Sequence, residues 1–230
     1  MPEGLLLYYI TDRTAFAGDE ATRRLRLLSK IAEAATAGVD YIQLREKELS
    51  TRALETLARE AIQIIRHARK LTTDHGPTTT AILINSRTDV ALSVEANGVH
   101  LPASDVSPKE VRTAWHGGYG APAAREISPG NPLISISCHS PEEVIQGAAK
   151  GADLAILAPI LEKKNAPGIA PAGLEALRQG CRSNIPVLAL GGVTLQNAEF
   201  CLRTGAAGIA AIRLFQENNI AEVVRTLRGR

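Results

Sequence analysis

Short apolar runs alternate along the chain with longer amphipathic stretches. The runs are LLLYYIT (5–11), YIQLR (41–45), AILIN (81–85), GVHLP (98–102), LISISCH (133–139), LAILAPI (154–160), PVLALGG (186–192) and GIAAI (208–212). Their near-continuous apolar character predicts strands covered on both faces, as in a parallel sheet. The stretches between them carry helical spacing. Leu25, Leu28, Ile31, Ala32 and Ala35 are read as one helical face, and Leu54, Leu57, Ala61, Ile64 and Ile65 as another. Gly38, Gly151 and Gly205 each follow an Ala-containing helical stretch and predict its end. Ser107-Pro108 and Ser140-Pro141 predict helix starts, with Ser as the cap and Pro in the first turn.

Eight strand–helix pairs in 230 residues predict an α/β fold, a single (β/α)8 TIM barrel spanning 1–230. A doubly wound sheet is the alternative, and the lack of a GxGxxG after the first strand speaks against it. HGGYGAPAAREISPGNP (116–132) reads as an insertion or mobile lid. A second long loop, 162–173, carries Lys163 and Lys164.

Composition narrows the class. With 45% hydrophobic and 22% charged residues the chain is globular, and a net charge of +2 gives no reason to expect nucleic acid or an anionic membrane. Aromatic residues are only 3%, too few to build stacking platforms for single strands. The cysteines (Cys138, Cys181, Cys201) are odd in number and lack CxxC spacing, so neither a disulfide framework nor a zinc site is expected, and a reducing cytoplasm is the natural setting. No apolar run approaches the roughly 20 residues of a membrane helix. The opening MPEGLLLYYITD lacks the basic flank of a signal peptide and reads as a strand. The sequence leaves the oligomeric state open, a homo-oligomer included.

Barrel sites form where strands end. Here the strands end in Arg45-Glu46-Lys47, Asn85-Ser86-Arg87, His100 leading to Asp105, Ser137-Cys138-His139, Glu162-Lys163-Lys164, Gly191-Gly192, and Arg213. Such a rim suits phosphate: Arg forks around its oxygens, Lys supplies point charge, and a Gly-Gly turn brings backbone N–H groups close. Asp105 beside these cations suits Mg2+ bound through one carboxylate and substrate phosphates. Each residue also has a plain structural reading. Arg45 and Glu46 could close the barrel end as an ion pair, Asn85 could cap a helix, His100 could be a satisfied core histidine, Cys138 could simply pack, Lys163 and Lys164 could be a solvated loop, and Gly191-Gly192 could make a tight turn.

YIQLREKELS, LINSRTDVALSVEANGVHLPASD, ISISCHSPEEV, ADLAILAPI and IPVLALGGVTLQN with GAAGIAAI resemble the thiamine phosphate synthase family, which includes the TenI-type thiazole tautomerases. The resemblance runs from about residue 8 to 216. It implies a (β/α)8 barrel that expels diphosphate from hydroxymethylpyrimidine diphosphate with Mg2+ assistance while the ring nitrogen of a phosphorylated thiazole attacks the pyrimidine methylene. It implies that Gln43, Arg45 and Lys47 hold the pyrimidine diphosphate, with Arg45 and Lys47 taking part in catalysis. It further implies that Asn85 is a substrate contact, Asp105 a Mg2+ ligand, Ser137 a diphosphate contact, and Gly192 with its neighbourhood the thiazole phosphate site.

Three departures matter. The synthases usually read Asn-Asp-Arg where this chain has Asn85-Ser86-Arg87, so one Mg2+ carboxylate is missing. LEKKNAPG lacks their Thr-rich segment, leaving Lys163 or Lys164 to supply charge. Arg213 stands where they commonly have Ser. The favoured reading is a synthase with one protein carboxylate on Mg2+. A TenI-type tautomerase is the runner-up, with His139 as its proton carrier. A non-catalytic barrel that binds thiamine precursors is the third reading.

Overall fold

Each apolar run becomes one strand of a closed parallel barrel. The computed structural model describes residues 4–71, 80–117, 130–162 and 170–229. In chain order the elements are β1 (Leu6–Ile10), α1 (Glu20–Ala37), β2 (Tyr41–Leu44), α2 (Thr51–Leu71), β3 (Ala81–Asn85), α3 (Thr88–Ser93), β4 (Gly98–Leu101), α4 (Pro108–Trp115), β5 (Leu133–Cys138), α5 (Pro141–Ala149), β6 (Leu154–Leu157), α6 (Gly173–Gly180), β7 (Val187–Ala189), α7 (Ala198–Arg203), β8 (Gly208–Ala211), α8 (Arg213–Gln216) and α9 (Ile220–Arg228). Strands pair in sequence order, and β8 closes on β1 with Leu6 opposite Gly208.

Strand alternation divides the apolar residues into two cores. Leu7, Ile42, Ile84, Val99, Ile134 and Leu157 point outward and pack under the helices. Leu6, Tyr8, Leu83, Leu154, Ile156, Leu188 and Ala210 point inward and fill the lumen. Parallel strands buried on both faces need both sets, which is why the runs read as continuous. The strands are shorter than the runs. β6 stops at Leu157, two residues before Pro159, which has no N–H to donate to a ladder. β7 stops ahead of the left-handed Gly191-Gly192.

The helix signals act as expected at both serine caps. Ser107 and Glu110 form a reciprocal capping box on α4, and the Ser140 hydroxyl accepts from the Glu143 N–H on α5. Gly38 ends α1 in the left-handed region, at φ 81°. One expectation fails. Leu25 is 69% exposed, and α1 buries Leu27, Ile31, Ala34 and Ala35 instead. At about 100° per residue, Leu25 lies about 120° round the helix from Ile31, whereas Leu27, Ala34 and Ala35 lie three or four residues from it. Leu28 and Ala32 flank the stripe and are half-buried.

Residues 118–129, most of the expected lid, and Lys163 and Lys164 lie outside the described residues. Among the described residues no helix is long and apolar enough to cross a membrane.

Candidate active site

The exit of β2 is fixed by a buried carboxylate. Glu46 is 3% exposed. It accepts from Thr11 Oγ1 at 2.5 Å and from the Arg13 N–H at 3.1 Å, and the Arg13 guanidinium lies 3.8 Å away. Burial pushes its carboxyl up to about 7, against the opposing pull of Thr11 and Arg13. Glu46 therefore pairs with Arg13 on the loop after β1 rather than with Arg45. The Arg45 N–H donates to Thr11 Oγ1 at 3.0 Å, which completes the clasp. Neither the half-buried Arg45 nor the exposed Lys47 has a carboxylate partner for its side chain among the described residues.

Gln43 points into the lumen and is 1% exposed. Its Nε2 donates to Asn85 Oδ1 at 2.8 Å, which brings two of the expected substrate contacts together. Its Oε1 is buried and has no hydrogen-bond partner among the described residues. An unmet buried acceptor costs about 1–3 kcal/mol, so this atom is either a liability or a socket for a donor.

At the exit of β3, Ser86 holds the left-handed conformation, φ 63°, which is uncommon away from glycine. The turn directs its hydroxyl to donate to Asp105 Oδ2, while Asp105 Oδ1 accepts from the Val106 N–H at 2.8 Å. Lys47, Asn85, Ser86, Arg87 and Asp105 line one cleft of about 480 Å3. A broader surface groove of about 790 Å3, along α4 and the end of α5, holds none of the site residues expected from sequence.

Below the mouth, His100 sits on β4 opposite Ser135 of β5. Its Nδ1 lies 2.8 Å from Ser135 Oγ and its Nε2 lies 2.8 Å from Ser137 Oγ. Burial drives the imidazole down to about 3, and the Arg45 charge adds to this, so the ring is neutral. His100 is a satisfied interior histidine whose second nitrogen meets an expected substrate contact, the half-buried Ser137.

The remaining expected residues are more scattered. Gly191 and Gly192 follow β7 at φ 96° and 69°. A Cβ on Gly192 would stand 2.6 Å from the Glu162 carbonyl oxygen and 2.7 Å from that of Leu161, so the turn admits only glycine against the loop after β6. Asn197 Nδ2 fastens the turn by donating to the Gly192 carbonyl at 2.9 Å. Arg213 is exposed at the start of α8. The His139 side chain is 63% exposed, and its Nδ1 lies 3.4 Å from Glu143 Oε2 on α5. Thr11, Arg13, Tyr8, Ser135 and Asn197 were not singled out from sequence. Of these, only Ser135 carried a signal, as a polar residue at period two with Ser137 in a buried run.

Among the described residues no three His, Cys, Asp or Glu side chains cluster to form a metal cage. At the mouth the Asp105 carboxylate, the Ser86 hydroxyl and the Asn85 amide offer oxygen donors. That set fits a hard cation such as Mg2+ only when substrate oxygens and water complete the shell.

Fold and mouth together define a class: a single (β/α)8 barrel with Arg45, Lys47 and polar donors gathered at the ends of β2 to β5. A family model described as thiamine monophosphate synthase matches residues 7–215. The thiamine-phosphate synthase of Methanoculleus marisnigri is 34% identical over 232 residues, covering 99% of this chain and 95% of the relative. That of Pyrococcus horikoshii is 34% identical over 211 residues, covering 91% and 86%. The solved thiamine phosphate pyrophosphorylase from Pyrococcus furiosus superposes with a TM-score of 0.73 at 28% identity, covering 98% of this chain and 94% of that one. The chain belongs to the thiamine monophosphate synthase family.

Proposed function

We propose that the chain is a thiamine-phosphate synthase that joins hydroxymethylpyrimidine diphosphate to hydroxyethylthiazole phosphate. The observation that carries this reading, beside family membership, is the buried Gln43 Oε1, beneath Arg45 and Lys47, with neither that oxygen nor those two cations partnered among the described residues. An aminopyrimidine offers that acceptor an N–H donor. The diphosphate on its methylene then extends up toward Arg45 and Lys47.

The C–O bond to diphosphate breaks, and its electron pair leaves with the diphosphate. The thiazole nitrogen lone pair forms the new C–N bond to the methylene carbon. No proton moves in this exchange, so the protein's task is to stabilise charge and hold geometry. Arg45 and Lys47 meet the growing negative charge. Asn85 locks Gln43 so that the pyrimidine plane is fixed before reaction. Asp105, with the Ser86 hydroxyl beside it, would hold Mg2+ jointly with the diphosphate, and the ion when bound neutralises charge on the leaving group. The glycine turn after β7 offers backbone N–H groups to the thiazole phosphate, with Arg213 and Lys163 or Lys164 as further cations. The three free cysteines suit a reducing, cytoplasmic setting.

A tautomerase would need His139 to carry a proton inside the mouth. Its exposure and its pairing with Glu143 lend that reading no support. Purified protein supplied with both phosphorylated precursors is expected to release thiamine phosphate in a Mg2+-dependent reaction. Absence of product above background at saturating substrate overturns the synthase reading.

A further inference from the structure

Four polar groups inside the barrel form a linear chain. Tyr8 Oη lies 3.0 Å from Ser135 Oγ, Ser135 Oγ lies 2.8 Å from His100 Nδ1, and His100 Nε2 lies 2.8 Å from Ser137 Oγ. The tyrosine, the histidine and the two serines could link in either direction, and a proton count chooses between them. Three hydroxyl protons and one ring N–H make four, while the chain has three links. One proton must therefore find its acceptor outside the chain.

Suppose that proton sits at the Tyr8 end. His100 then carries its proton on Nδ1 and donates to Ser135, and Ser137 donates to Nε2. Tyr8 and Ser135 are both 0% exposed, so one of their hydroxyl protons then has no acceptor among the described residues. The other neighbour of Tyr8 Oη is Nδ1 at 3.5 Å, which is already protonated in this arrangement. A buried donor left unmet is penalised several-fold to more than a hundredfold in equilibrium. Suppose instead that the spare proton sits at the Ser137 end. Tyr8 then donates to Ser135, Ser135 to Nδ1, and Nε2–H to Ser137. Every buried donor is met, and the spare proton belongs to the one member that is only half-buried.

We infer that His100 is a positioning residue: held as the Nε2–H tautomer, it donates to Ser137 and leaves the Ser137 proton aimed into the mouth, where it donates to a diphosphate oxygen. The inference rests on the synthase reading for the identity of that anion. Its chemical sense is simple. A serine hydroxyl can present either a proton or lone pairs, and only the proton attracts an anion. With its proton committed to a histidine, Ser137 would turn lone pairs toward the diphosphate. Burial keeps the ring neutral, and the Arg45 charge acts in the same direction. Burial also keeps Tyr8 a phenol, hence a donor. Among the described residues, Tyr8 from β1, Tyr41 from β2 and Arg45 beyond β2 are the titratable groups facing this cluster, and none is a carboxylate that would favour imidazolium.

The test has two parts. In the unliganded wild-type protein, 15N spectra of labelled histidine should show one resonance set with a protonated Nε2 and a bare Nδ1, unchanged from pH 5 to 8. A protonated Nδ1, or titration within that range, overturns the inference. Calorimetry with inorganic diphosphate then measures the consequence without turnover. His100→Leu should weaken affinity about 10- to 100-fold, the range for a hydrogen bond to a charged group. His100→Gln keeps an amide N–H toward Ser137 and should recover most of that loss. In a Ser137→Ala background, His100→Leu should cost no more than about two-fold, because its route to the ligand is gone. A full-sized effect in that background overturns the positioning role. The tautomer needs no substrate, so it can hold while the synthase assay fails, and the reverse outcome is equally readable.

Discussion

The lumen has two halves that differ in kind. From β1 to β5 the inward side chains include Tyr8, Gln43, Asn85, His100, Ser135 and Ser137, nearly all joined by hydrogen bonds. From β6 to β8 they are Leu154, Ile156, Leu188, Leu190 and Ala210, an apolar filling. The same barrel therefore separates two tasks around its circumference. One side holds a directional polar network below the mouth. The other gives that network a dry, incompressible wall, which strengthens each hydrogen bond facing it.

Substitutions in the two halves should therefore fail differently. Leu188→Ala in the apolar half should show the largest loss of stability, about 2–5 kcal/mol by urea denaturation, with KM for the diphosphate substrate nearly unchanged in the folded enzyme. A KM shift larger than the stability loss would erase the distinction. Glu46 at the edge of the polar half should make stability depend on pH. Its carboxyl rises from an ordinary 4.5 to about 7, so the folded state binds the proton more tightly. That contribution is fully present below about pH 4.5 and is lost as pH rises through about 7, up to about 3 kcal/mol in all. Denaturation curves at pH 5 and pH 8 should show this slope in wild type and a flatter one in Glu46→Gln. Gln43→Leu should separate the halves most cleanly. Removing the unmet acceptor should leave stability within about 1 kcal/mol of wild type, while kcat/KM falls about 10- to 100-fold. Ser86→Asp should have the smallest effect: a few-fold rise in apparent Mg2+ affinity from a second carboxylate beside Asp105, read by titrating the metal in the synthase assay.

Much of this was legible in the sequence. Eight buried parallel strands leave an apolar signature that needs no partner to be read, and the rim residues follow from knowing where strands stop. Pairings between distant residues were not legible. Glu46 sits beside Arg45 in the chain yet meets Arg13, 33 residues away, because strand order folds the loop after β1 over the exit of β2. His100 looked like a core histidine and is one, but its value lies in the registers that set it beside Ser135 and under Ser137, which only pairing reveals. Leu25 misled for a local reason: it is apolar and near the right spacing, but the helix phase was set by Ile31.

The closure of β8 on β1 places a demand on synthesis. Leu6 finds Gly208 about 200 residues later, and Tyr9 Oη donates to Gln216 Oε1 at 3.0 Å. At ribosomal rates of roughly 5–20 residues per second, the first strand waits about 10 to 40 seconds for its second neighbour. Throughout that time β1 has one open, strongly apolar edge, available to any other unpaired strand. The seam between first and last strands is thus where a nascent chain most needs protection, and Gln216 on α8 helps fasten it once it has closed.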